Sequence, residues 1–106
     1  MTDPTASFWE LARPLLDRDG VTRSTMMGLP CLRRDGAFFA ACDHTTGNLL
    51  VKLPENDVTT LIADGDAVPF APAGRRFRHW AAITADLADT WPALLDQAHA
   101  HAGDQG

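Results

Sequence analysis

Apolar residues recur at helical spacing toward both ends of the chain and at strand-like spacing in the middle, so the pattern predicts helices flanking a run of strands. Phe8, Ala12, Leu15 and Leu16 fall at i, i+4, i+7 and i+8, with Trp9 and Leu11 widening the stripe, as on one face of an amphipathic helix. Pro14 lies inside that stripe and removes a backbone donor, so a kink or break is expected there, with Asp19-Gly20 as the stop. Residues 22–26, 30–34, 37–42 and 48–53 read as strands. Asp35-Gly36 tolerates the positive φ angles of a type I′ turn, which matches the twist of the flanking strands, so a two-residue hairpin is expected. Gly28 is expected at a bend or bulge, with Met26 and Met27 as gap fillers.

Beyond Pro54, a short helix is expected, with Glu55 and Asp57 at its positive end, Val58, Leu61 and Ile62 on one face, and Gly65 as the stop. Residues 66–75, with Pro69, Pro72 and Gly74, read as an ordered loop leading into a strand at 77–83. Trp91, Leu94, Leu95, Ala98 and Ala102 share the stripe of a final helix, with Thr90 as cap, Pro92 in its first turn and Gly103 at its end. The order predicts an α+β fold: a mainly antiparallel sheet of four to five strands, with an N-terminal, a middle and a C-terminal helix packed on it. The other face of the sheet is then open to a partner.

The chain has 106 residues, 45% of them hydrophobic, which suits one domain over 1–106 with an ordered core at about 5–102. No apolar run approaches the roughly 18 residues of a membrane span, and the start lacks the basic and apolar regions of a signal peptide. A cytoplasmic protein without membrane contact is expected, as a monomer or weak homodimer.

The formal charge of −5 argues against coating nucleic acid nonspecifically, but the charge is partitioned. Residues 21–54 and 69–83 hold seven cations against two carboxylates, a net of +5, while the remainder carries −10. A solvated charge pattern without a partner is the plainer reading of such runs. The functional reading centres on Arg75, Arg76, Phe77, Arg78, His79 and Trp80, where guanidinium groups that pair with phosphate adjoin aromatic rings that stack on bases. Alternation over 77–83 places Arg76, Arg78 and Trp80 on one face. Alternatively, Trp80 packs beneath a helix and the arginine stems cover apolar surface while their heads meet carboxylates.

Other chemistry is thinly supported. Two cysteines are too few for a disulfide scaffold. In the expected hairpin register Cys31 opposes Ala40 and lies diagonal to Cys42 on the same face, too far for an unstrained bridge, so both are read as buried apolar residues. No metal-ligand spacing joins Cys31, Cys42, His44, His79, His99 and His101, and His99 and His101 are read as surface histidines. Cys42-X-His44 lacks an orienting third group, so no catalytic residue, metal or cofactor is assigned and an enzyme is not the expectation.

Met26-Met27-Gly28-Leu29-Pro30-Cys31-Leu32, Asp35-Gly36-Ala37-Phe38-Phe39-Ala40, Leu50-Val51-Lys52-Leu53-Pro54 and Pro69-Phe70-Ala71-Pro72-Ala73-Gly74-Arg75 together resemble the MmcQ/YjbR-like family, across about residues 5–102. That bacterial group shares a fold with the N-terminal domain of TfoX competence regulators. The resemblance implies a small α+β domain associated with DNA binding, without catalytic residues; the chain is too short to carry the second TfoX domain. The expected function is therefore a binding module for nucleic acid or a small anionic ligand, through Arg33, Arg34, Lys52, Arg75, Arg76, Arg78 and Trp80. The rival readings are a small-molecule site or enzyme with an arginine-lined pocket enclosed by Trp80, Met27 and the 66–75 loop, and a protein-interaction domain using the uncovered sheet face.

Overall fold

Residues 4–104 are described by the computed structural model, in which the elements run α1 (Pro4–Leu16), β1 (Val21–Met26), β2 (Leu29–Arg34), β3 (Ala37–Asp43), β4 (Asn48–Lys52), α2 (Glu55–Ala63), β5 (Val68–Pro69), β6 (Trp80–Ile83) and α3 (Trp91–Asp104). The fold is α+β, with three helices and one antiparallel sheet of six strands in the order β1-β2-β3-β4-β6-β5. The strand beyond the expected count is β5, two residues at the sheet edge, where Pro69 forfeits only a bond that would face away from the sheet. None of the described helices is long and apolar enough to cross a membrane.

Two hairpin turns set the register of the first three strands. Asp35 and Gly36 have φ of 51° and 88°, and Arg34 pairs with Ala37, which is the expected two-residue turn. Met27 and Gly28, with φ of 51° and 76°, make a second such turn between Met26 and Leu29. Gly28 therefore serves a tight turn rather than a bulge, and Met27 stands out in solvent.

The bulge lies one strand later. Leu32 pairs with Ala40 but Arg33 pairs with Phe38, so Phe39 is an extra residue in β3. A one-residue shift exchanges the faces of everything beyond it. Cys31 thus opposes Ala41, not Ala40, and Cys42 points to the opposite face, so the two thiols that alternation placed together are separated by the sheet.

The helices cover one face. Phe8, Ala12 and Leu15 of α1, Val58 of α2, and Leu94, Leu95 and Ala98 of α3 bury their stripes against Leu32, Phe39, Leu49, Val51 and Ile83. Helix α1 continues through Pro14 to Leu16 without the expected break; Pro14 lies in the last turn, where the missing donor costs one terminal bond. Thr90 does not begin α3 as a simple cap: a 3-10 segment over 85–90 precedes the helix, and the Thr90 hydroxyl donates back to the Leu87 carbonyl.

The reverse face is partly covered rather than open. Cys31, Ala41, Leu50 and Ala82 point to it, and Phe70 and Trp80 bury there with Phe38 and Phe77 at the margin. The segment between β5 and β6 supplies this cover. Its two ends are tied together where the Phe77 N–H donates to the Phe70 carbonyl, and the Trp80 N–H donates to the Phe77 carbonyl.

Candidate functional site

Strand alternation decides which cations can meet a ligand across the sheet. In β2, Cys31 and Arg33 face the reverse side while Leu32 and Arg34 face the helices. In β4, Leu50 and Lys52 share the reverse side, and Lys52 pairs with Trp80 of β6. Arg33 in turn pairs with Phe38, and its guanidinium lies 4.9 Å from the centre of that ring while Nε donates to the Gly36 carbonyl. Arg75 stacks on Phe77 at 5.5 Å. Arg33, Phe38, Lys52, Phe77 and Arg75 therefore form a cationic and aromatic row across the reverse face.

The row keeps its charge. Arg33, Lys52 and Arg75 form no ion pair among the described residues, and the nearby Asp35 carboxylate turns against Gly20 instead. Most remaining carboxylates, including Glu10, Asp57, Asp86 and Asp96, belong to the helical side, so the molecule is acidic on its helices and basic on this face.

Three of the other expected residues behave differently. Arg78 lies in a turn outside β6, which begins only at Trp80, and approaches Glu55 of α2 at 3.7 Å; Arg76 is exposed in the preceding loop. The alternation that grouped Arg76 and Arg78 with Trp80 thus fails because the strand is shorter than 77–83. Trp80 itself is only 8% exposed, packed on the face opposite the helices, so it supports the row from below rather than offering a stacking surface.

Arg34 faces the helices and is engaged there. Its Nη1 donates to the His99 carbonyl at 2.8 Å and lies 3.4 Å from His99 Nδ1, while Arg18 Nη1 approaches the same nitrogen at 3.2 Å. Two donors on Nδ1 require an unprotonated acceptor, which places the imidazole proton on Nε2. The guanidinium of Arg34 also lies in the last turn of α3, against Gly103, where positive charge complements the helix dipole. His99 is thus a partly buried link between α3 and the sheet, not the surface histidine its spacing suggested. Arg23, another cation of the basic segments, stacks on Trp9 of α1 at 4.7 Å.

Burial holds the His99 pKa below its ordinary value of 6.5, with Arg34 and Arg18 pushing the same way and Asp96 opposing them. The unfolded chain therefore takes up a proton near pH 6.5 that the folded chain refuses, so stability falls as pH drops from that point and is unaffected above it. His99→Asn keeps an acceptor near Nδ1 and cannot titrate. It is expected to flatten the decline in urea midpoint between about pH 7 and pH 5, and an unchanged decline would show that the imidazole titrates normally.

The remaining chemistry is confined by burial. Cys42 is 3% exposed on the helical side while His44 stands exposed in the β3–β4 turn, so they make no nucleophile and base. Burial raises the Cys31 thiol pKa, against a hydrogen bond from Ser24 and the charge of Arg33, so the neutral, unreactive thiol is favoured. Among the described residues, no group of three or more histidine, cysteine or carboxylate side chains could hold a metal ion.

No family model matches the chain, and no curated protein or solved structure shows significant similarity to it. The site is defined by its own geometry. Sequence reasoning missed Phe38, and although it singled out Phe77 in the basic segment, alternation put that ring on the face opposite Trp80. Their signal was present in the position of each ring beside an arginine or a turn, but only the bulge and the loop closure bring them to one face.

Proposed function

We propose that the chain is a non-enzymatic binding module that engages single-stranded nucleic acid across the reverse face of its sheet. One observation carries the reading: three cations without ion-pair partners among the described residues, Arg33, Lys52 and Arg75, alternate with the half-buried rings of Phe38 and Phe77. Cations at this interval track a phosphate backbone, and rings between them stack on bases without reading sequence. The resemblance to the MmcQ/YjbR-like family points in the same direction. A protein-interaction surface has less support, because the large exposed apolar residues found among the described residues, Met27 and Val68, sit at opposite edges of the sheet and form no continuous patch.

A salt titration with a labelled single-stranded oligonucleotide tests this. Three phosphate contacts give a log–log slope of about −2, so affinity should fall roughly 15- to 20-fold between about 50 and 200 mM salt. The triple variant Arg33→Ala, Lys52→Ala, Arg75→Ala should lose most of the affinity and nearly all of the slope, whereas Arg34→Ala should keep the slope. Absence of binding at low salt, or an unaltered slope in the triple variant, would remove the proposal.

A further inference from the structure

The sheet has two edges, and they differ in whether a further strand can join them. At one, β5 is two residues long and includes Pro69, which has no N–H to offer a neighbour. At the other, β1 runs six residues without a proline, and no described residue pairs with its outer side. Its single charge does not guard the edge, because the Arg23 guanidinium is drawn over the Trp9 ring at 4.7 Å.

The hairpin turn fixes which backbone groups of β1 point outward. Met26 and Leu29 flank the two-residue turn and exchange hydrogen bonds, so the groups facing β2 alternate back through Ser24 and Thr22. Pro30 lies opposite Thr25 and agrees with this phase, since Thr25 then needs no donor from it. Val21, Arg23 and Thr25 therefore turn their N–H and C=O groups out of the sheet. The Val21 N–H donates to the Arg18 carbonyl, which leaves Arg23 and Thr25 with outer backbone groups that no described residue bonds. Thr22, Arg23 and Thr25 are also exposed, as an uncovered edge requires.

We propose that β1 pairs antiparallel with β1 of a second copy about a two-fold axis through Ser24, joining the two sheets edge to edge. In this register Arg23 of each copy opposes Thr25 of the other, and the two pairs exchange about four backbone hydrogen bonds. An axis through Arg23 would set like charges opposite each other, and one through Thr22 would need the Val21 N–H that Arg18 already holds. A second copy fits this edge better than a foreign peptide. The strand offers short hydroxyl side chains and one charge, which select no peptide sequence, whereas its outward groups complement themselves under a two-fold. The blunted β5 edge closes the assembly at two copies, because it leaves nothing for a filament to extend from. The pairing does not depend on the nucleic-acid reading, since β1 contributes no residue to the cationic row.

One strand pair buries less than a standard interface, so a dimer with a Kd of roughly 0.1 mM is expected by sedimentation equilibrium between about 10 µM and about 1 mM. Thr25→Pro should leave the protein folded by circular dichroism but monomeric at about 1 mM, because the N–H it removes points away from β2. Thr25→Lys and Thr25→Glu, at the same exposed position, test the register whatever proline costs the fold. Opposite Arg23, the first should weaken the dimer about fivefold and the second strengthen it about fivefold. The proposal is overturned if the protein stays monomeric at about 1 mM, if folded Thr25→Pro dimerises as the unmodified protein does, or if the lysine and glutamate variants shift the equilibrium in the same direction.

Discussion

Replacing Phe39 with alanine is expected to lower the unfolding free energy by about 3–5 kcal/mol, whereas Phe38→Ala costs about 1–2 kcal/mol. The residues are neighbours of identical type, and the difference comes from their lying on opposite faces of β3. Phe39 is fully buried on the helical side, with its ring centre 5.7 Å from that of His99 in an edge-to-face arrangement. Removing it opens a cavity between β3 and α3 and loosens the imidazole that Arg18 and Arg34 share. Phe38 is half-buried on the other face beneath the Arg33 guanidinium, so its truncation removes less apolar contact and leaves no sealed void.

Binding should respond in the opposite order. Phe38→Ala removes a ring from the cationic row and is expected to weaken a single-stranded oligonucleotide by about 1–3 kcal/mol, the usual worth of one stacked base. Phe39→Ala, measured where it is still folded, should bind nearly as the unmodified protein does. Urea unfolding followed by circular dichroism, with anisotropy for the oligonucleotide, separates the two effects. Equal stability losses at the two positions would mean that they do not face opposite ways.

The step from Phe39 to Ala40, which share the helical face, marks where the sequence stops being readable. Elements were legible because their punctuation is chemical: Asp35-Gly36 tolerates positive φ, and Pro54 precedes a helix with acidic residues in its first turn, whereas Gly103, expected as the stop of α3, lies within it. The bulge has no such marker. Residues 37–42 are uniformly apolar, and both faces of β3 are covered, so no polar position records which side a residue takes. A register read outward from the turn therefore placed Cys31 and Cys42 together.

The same gap explains the candidate site. Arg33 and Arg34 differ by one position and end on opposite faces, one beside Phe38 and the other in the last turn of α3. Charge counting grouped them because it carries no direction. Net charge by segment located the basic region correctly in sequence, but the region divides in space: Arg23 and Arg34 brace helices, while Arg33, Lys52 and Arg75 remain without ion pairs among the described residues on the reverse face. The cover formed by Phe70, Phe77 and Trp80 was hidden for a related reason. A loop rich in proline and glycine signals order without saying what it packs on.

Trp80→Ala should be the most damaging change on the reverse face, costing about 3–5 kcal/mol. Its indole is buried with Leu50, Ala82 and Phe70, and it is the floor on which the segment between β5 and β6 rests. The Trp80 N–H holds the Phe77 carbonyl and the Phe77 N–H holds the Phe70 carbonyl, so loss of the indole frees both ends of that segment. Arg75 stacks on Phe77 and would lose its fixed position with it. Oligonucleotide affinity should therefore fall about tenfold although Trp80 touches no ligand. Trp80→Phe refills most of the space and should recover both stability, to within about 2 kcal/mol, and binding. Amide exchange gives a separate readout: Trp80→Ala should accelerate Phe77 and Trp80 far more than the β2 and β3 amides, because the loosening is local. If Trp80→Ala instead keeps its stability and exchange pattern while binding is lost, the indole itself is the contact, and the row must be redrawn with Trp80 at its surface.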